Sequence, residues 1–122
     1  MRLLTDKEIN ELADKYPLYS QDGKGINAFC SYKFFFPFSS FTWYITECSK
    51  DGDYITLFGV TIGASGEGEF GYTTLNELDS LQVRGLQVER DKNFTPAPLV
   101  ELYKTEAPLQ DFLDKWKAYQ NK

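Results

Sequence analysis

The stretch from Ile26 to Ile62 constrains the fold more than any other part of the chain. It holds seven of the ten phenylalanines and one of the two tryptophans. Between Phe41 and Glu47 its residues alternate. Phe41, Trp43 and Ile45 fall on one side of an extended chain and Thr42, Tyr44 and Thr46 on the other, the period-two pattern of a β-strand. Lys50-Asp51-Gly52-Asp53 follows, and Asp-Gly between two such runs predicts a hairpin, because glycine accepts the positive φ of a tight turn. The next run, Tyr54 to Ile62, is apolar on both sides, so it predicts a strand covered on both faces. Helices supply one cover. The other falls to the remaining loops or to a second copy of the chain, a homodimer through the second sheet face.

The flanks predict the helices. Thr5-Asp6-Lys7-Glu8 is a capping box with Leu4 and Ile9 at the staple positions, so a helix is expected over Asp6 to Lys15. It buries Ile9, Leu12, Ala13 and Tyr16 and stops before Pro17. Leu18 to Gly25 reads as a loop, and a first strand is expected over about 26–36. Gly63-Ala64-Ser65-Gly66-Glu67-Gly68 predicts a turn. Glu69 to Thr73 predicts a short strand, and Thr74-Leu75-Asn76-Glu77 a second capping box whose helix runs to Leu81 on a stripe of Leu75, Leu78 and Leu81. A further short strand fits Leu86 to Asp91, and a helical turn fits Pro98 to Lys104. A last helix is expected from Pro108 to Tyr119, with Leu109, Phe112, Leu113, Trp116 and Tyr119 on one apolar face and Asp111 pairing with Lys115 on the other. The fold class is therefore α+β, one domain over 1–122, with an antiparallel sheet of four or five strands and helices packed mainly on one face.

Composition removes several chemistries. The chain has no histidine, so the commonest general base and transition-metal ligand are missing, and with them Ser-His-Asp and Cys-His nucleophile systems. Catalysis would have to rest on carboxylates, Lys, Tyr or Cys. Cys30 and Cys48 fall on neighbouring predicted strands, where a disulfide is conceivable, but two buried thiols are the favoured expectation, and they lack the companions of a zinc site. No apolar run is long enough for a membrane span. The N-terminus turns charged too soon for a secretory signal, which points to the cytoplasm. No cofactor is implied.

Net charge is −5 and uneven. Residues 64–91 carry six acids, Glu67, Glu69, Glu77, Asp79, Glu89 and Asp91, against Arg84 and Arg90. Their spacing matches no metal loop, and they are the candidate partner-binding residues. A negative surface fits a partner protein with a basic surface, where charge complementarity steers association. Arg90 is expected to pair with an acid elsewhere, such as Glu47 or Glu69. The aromatic strands offer an alternative, a stacking platform for single-stranded nucleic acid, but Lys33 is the only base from Phe29 to Tyr44, and phosphate binding wants a basic groove. Direct nucleic-acid binding is disfavoured, and core packing is the expected role of these rings. The glycine-rich Gly63 to Glu69 carries two glutamates where a phosphate cradle needs lysine, so a plain turn is expected.

Three pieces of the chain resemble one family. They are Leu18-Tyr19-Ser20-Gln21 with Lys24-Gly25, then Thr42-Trp43-Tyr44 with Glu47, then Glu69 to Leu78 continuing through Gly85 to Asp91 and Phe94. Together, over about 16–102, they are similar to domain of unknown function 2958. The tail after Thr105 and the insertion-like Phe34 to Phe38 depart from it. The resemblance implies a small protein of plasmids, phages and other mobile elements, with no activity or catalytic residue to carry over. With the acidity and the absence of histidine, it leads to a non-enzymatic module that inhibits or modulates a nucleic-acid-handling or defence enzyme of a host. The alternatives are an accessory protein of plasmid DNA metabolism that touches single strands and, less favoured, a carboxylate-based enzyme.

Overall fold

The computed structural model describes residues 2–37 and 39–120. Met1, at the head of the N-terminal stretch read above, and Phe38, in the aromatic insertion, lie outside the described residues. In chain order the helices are α1 (Asp6–Lys15), α2 (Leu75–Ser80) and α3 (Ala107–Gln120), with 3-10 turns at Gly25–Asn27 and Leu99–Leu102. The long strands are β2 (Tyr32–Phe35), β3 (Thr42–Asp51), β4 (Tyr54–Ile62) and β5 (Gly68–Thr74). The two-residue strands are β1 (Phe29–Cys30), β6 (Gln82–Val83), β7 (Leu86–Gln87), β8 (Glu89–Arg90) and β9 (Ala97–Pro98). One five-stranded sheet has the order β5-β4-β3-β2-β8, antiparallel throughout, beside two-stranded ladders of β1 with β9 and β6 with β7. The architecture is α+β. No helix of the described residues is long and apolar enough to cross a membrane.

The β3–β4 hairpin forms as the alternation predicts, closing on a two-residue loop whose first member, Gly52, has φ 60. Its ladder is interrupted once, between Ile45 and Glu47. Thr46 is the extra residue of a bulge, and an extra residue reverses the phase of everything after it. Trp43, Ile45 and Cys48 therefore belong to one face, while Tyr44 belongs to the other. Glu47 pairs with Phe58 across the strands and shares the face of Tyr44, which simple alternation would have denied it.

Both faces of the sheet are covered by the chain itself. On the first, α1 and α2 bury Ile9, Leu12, Leu75 and Leu78 against Phe34, Trp43, Ile45, Ile55 and Leu57. On the second, α3 and the two 3-10 turns bury Leu99, Leu102, Leu109, Phe112 and Leu113 against Tyr44, Val60 and Ile62. The loops or second copy expected on that face are replaced by α3. Its start is fixed by a buried polar chain. The Tyr44 hydroxyl donates to Glu106 Oε1 at 2.8 Å, and Lys33 Nζ lies 2.7 Å from the same oxygen and 3.3 Å from Asp91. Burial first and Glu106 second hold the Tyr44 hydroxyl far above its ordinary pKa, so it stays a donor.

Some expectations are corrected. The single first strand over about 26–36 is broken into a 3-10 turn, β1 and β2, and β1 pairs with β9 outside the main sheet. The cause is Gln21, whose side chain takes both the N–H and the C=O of Phe29 and so replaces a strand partner there. Of the second capping box only the forward half forms, Glu77 N–H to Thr74 Oγ1. Leu81 is exposed because its backbone has left the helix for an extended conformation. Tyr119 is 72% exposed, because the last turn of α3 runs past the rings that Trp116 packs on.

Arg90 pairs with Glu8, not with Glu47 or Glu69. The contacts are bidentate at 2.7 and 2.8 Å, and the guanidinium lies 4.9 Å over the Tyr32 ring. Glu8 thus closes the first capping box and staples α1 to the β8 edge. The hydrogen bond to Arg90 is the main reason that its carboxyl sits low, at about 2, against the pull of burial. A folded pKa below the unfolded one contributes stability above the unfolded value, lost as pH falls through the folded value. The pair therefore weakens from about pH 4.5 towards pH 2. Its side chains are 29% and 23% exposed, so screening limits the contribution to about 1–2 kcal/mol. In urea unfolding, the gap between wild type and Arg90→Ala is expected to shrink as pH is lowered from 6 to 3.

Cys30 and Cys48 are both free and buried, as expected, and they sit in the clusters of opposite sheet faces. Burial pushes both thiols up, Cys48 to about 11, so neither is a thiolate at neutral pH. A thiol reagent is expected to label neither cysteine in the native protein and both within seconds of denaturation, and fast native labelling would contradict their burial.

Candidate functional site

The second face opens beyond the end of the α3 contact into a cleft of about 730 Å³. The Gln21–Ala28 segment forms one wall, the β3 bulge and Phe58 the floor, and Phe70 with the last turns of α3 the other wall. The wall segment is held by a carboxylate. Glu47 is 3% exposed, and its two oxygens accept the Tyr19 N–H at 2.8 Å and the Gln21 N–H at 2.9 Å. Only the bulge turns Glu47 to this face. The Gln21 side chain then donates to the carbonyls of Phe29 and Thr46, the latter left over by the bulge. Tyr19 has φ 74, the left-handed conformation that a side chain resists, and the bond to Glu47 holds it there. Gly25, at φ 52, lies against the Trp116 indole.

A row of aromatic rings leads into the cleft, which Phe58, Phe70 and Trp116 line. Tyr72, Phe58, Phe70 and Trp116 are linked by centroid distances of 4.8, 5.8 and 5.2 Å. The row begins in solvent, where Tyr72 is 57% and Tyr19 64% exposed. Lost solvation and then the neighbouring Tyr19 raise the Tyr72 hydroxyl above its ordinary value. Lys24, Lys117, Asp22 and Gln120 also line the cleft. The central rings predicted to be interior divide accordingly. Phe34 and Trp43 are 0% and 7% exposed, core as expected, whereas Phe58 is half-buried and faces this space. Chemically the cleft offers flat apolar surface beside a few polar groups. Glu47 is engaged through both oxygens as a backbone anchor.

The six predicted acids divide into three groups. Glu67 and Glu69 stand exposed at the start of β5, one edge of the sheet. Glu77 and Asp79 are on α2, and Asp79 accepts the Arg2 and Leu3 N–H groups. Glu89 and Asp91 lie at the opposite edge, where Asp91 pairs with Lys33. The six do not form one patch. Residues 51–83 carry Asp51, Asp53, Glu67, Glu69, Glu77 and Asp79 and no lysine or arginine, but Asp51, Asp53 and α2 lie at one end of β4, where Asn76 Nδ2 donates to the Asp53 carbonyl, and Glu67 and Glu69 lie at its other end, with Glu69 opposite Thr61. Among the described residues no three Asp, Glu or Cys gather where they would hold a metal ion. Gly63 to Gly68 is the plain turn expected, closed by Gly63 N–H on the Glu67 carbonyl at 2.8 Å.

Reasoning from sequence missed the cleft, because its floor depends on the bulge and its walls on segments about 90 residues apart. The signal present was the first two pieces of the resemblance, Leu18 to Gly25 and Thr42 to Glu47, which meet at this wall and floor. A family model described as Protein of unknown function (DUF2958) matches residues 3–112. This is wider than the 16–102 read from the motifs and takes in α1 and the first turns of α3. No curated protein and no solved structure matches the chain.

Proposed function

We propose that this chain, which belongs to the DUF2958 family of proteins of unknown function, is a non-enzymatic protein-binding module. It docks on a basic surface of a nucleic-acid-handling or defence enzyme of a host and inhibits or modulates that enzyme. The observation that carries this is the charge of residues 51–83, which fold as β4, β5 and α2 and hold six acids and no base, with the exposed Tyr72 and Tyr19 on the second face of the same edge. Tyrosines supply contact area at small entropic cost, and single-signed charge steers a basic partner and rejects acidic ones. The cleft on the second face offers an aromatic seat for a projecting side chain of the partner.

Capture from host lysate with wild type and with the Glu67→Lys/Glu69→Lys double variant tests this. The expected result is a basic nucleic-acid enzyme retained by wild type, released by salt, and weakened about tenfold or more by the two reversals. Capture of no such partner, or capture indifferent to the reversals, would overturn it.

A second reading, an accessory protein gripping single-stranded nucleic acid, is favoured by one observation. Phe58, Phe70 and Trp116 share the cleft with Lys24 and Lys117, and a stacked base gains about 1–3 kcal/mol. Oligonucleotide at low salt would then quench Trp116 while the buried Trp43 stays silent.

A further inference from the structure

The sheet has two edges, and they differ. β8 is two residues long and continues from the buried Val88, with Arg90 pinned to Glu8. β5 is seven residues long and runs in unbroken register with β4 from Thr74 opposite Thr56 to Gly68 opposite Ile62. Among the described residues no strand pairs with its outer side, and no hydrogen bond takes up its outward backbone groups. Natural edges are commonly guarded by charged side chains, proline or a bulge. Gly68-Glu69-Phe70-Gly71-Tyr72-Thr73-Thr74 has no proline and no bulge, Glu69 is its one charge, and the space around Gly71 is open.

We infer that β5 is a docking edge that takes an extended basic segment of the partner as a sixth strand of the main sheet, an assignment that rests on the basic-partner function proposed above. In strand addition, main-chain hydrogen bonds supply affinity and alternate side chains supply specificity. The two sides of β5 ask for different residues. Phe70 and Tyr72 point to the second face, where they touch Trp116 and Phe58. Glu69, Gly71 and Thr73 alternate onto the first. The incoming segment therefore carries apolar or aromatic residues on one side and lysine or arginine on the other, beside Glu69. The occupant is a basic partner and not a second copy, because self-pairing at this edge would offer Glu67 and Glu69 no countercharge from residues 51–83, which hold no base, and would join two chains of net charge −5.

A ten-residue probe alternating lysine with valine or tyrosine tests this, alongside its glutamate counterpart and a version N-methylated on the side that would face β5. Binding is read by fluorescence anisotropy, and the site by amide exchange of the protein. The basic probe is expected to bind, to weaken with salt and to protect alternate amides of β5. The glutamate probe is expected not to bind, and N-methylation to cost about tenfold or more through lost backbone hydrogen bonds. Equal binding of the N-methylated probe, or protection away from β5, would overturn the assignment. So would a sedimenting dimer with the same β5 amides already protected without probe, which gives the edge to a second copy. Two failures are distinguishable with Glu67→Lys/Glu69→Lys. If the reversed protein binds the basic probe as well as wild type, the basic-partner function fails too. If reversal abolishes binding and N-methylation does not matter, only the docking edge fails.

Discussion

Gly59→Ala is expected to lower the unfolding free energy by about 3 kcal/mol or more, the upper end of what overpacking a core costs. Gly59 stands opposite Ile45 at the bulge. A Cβ there would run into the Tyr44 carbonyl oxygen and lie 3.0 Å from the Ile45 Cα. These are backbone atoms of a central strand, so no rotamer change relieves the clash. Either β3 and β4 separate or the bulge moves. Moving it by one residue would turn Glu47 or Cys48 to the wrong face, and the wall of the cleft would lose its carboxylate. The measurement is a urea midpoint with a near-ultraviolet spectrum of the aromatic core. Gly71→Ala, on the paired position of β5 with open space around it, is the control and is expected to cost under about 1 kcal/mol. Equal effects at the two glycines would show that the close approach at Gly59 is not what requires glycine.

Glu47→Ala is expected to cost about 3 kcal/mol and to loosen the Tyr19–Ala28 segment. Hydrogen bonds to a charged group are worth about 1.5–3 kcal/mol, and amides left buried without a partner bear their full desolvation penalty. Two amides are stranded here, those of Tyr19 and Gln21. Tyr19 also loses the bond that holds its left-handed backbone. Glu47→Gln keeps the shape but offers one acceptor oxygen and an NH₂ group that faces a backbone donor, so it is expected to cost about half as much. The loosening has a local reporter, because Gly25 of the same segment packs on Trp116. Its fluorescence is expected to shift towards that of exposed indole before global unfolding begins. A Glu47→Ala protein with unchanged stability and an unshifted Trp116 signal would mean that the carboxylate does not organise the wall.

The strongest local signals were legible. The Thr5–Glu8 box, the Asp51-Gly52 turn, the period of β3 and the Asp111–Lys115 pair, closed at 3.1 Å, involve neighbours in the chain. Their geometry is set by backbone preference and by side chains within four residues of one another. The candidate site was legible only in fragments. Leu18 to Gly25 and Glu47 stood out through the family resemblance, but their joint role did not, because no local rule places a bulge at Thr46. Glu106 and Glu8 gave no signal of their long-range partners for the same reason.

The sequence by itself determined an α+β chain with a hairpin at its centre, two interior thiols and an acidic excess over residues 64–91, since periodicity, turn chemistry and charge are properties of adjacent residues. Only the tertiary structure decided which face Glu47 joins, that α3 closes the second face, that Arg90 meets Glu8, and that β5 is left as an open edge. Those outcomes depend on which distant segments compete for the same surface, and a single extra residue in one strand is enough to change the answer.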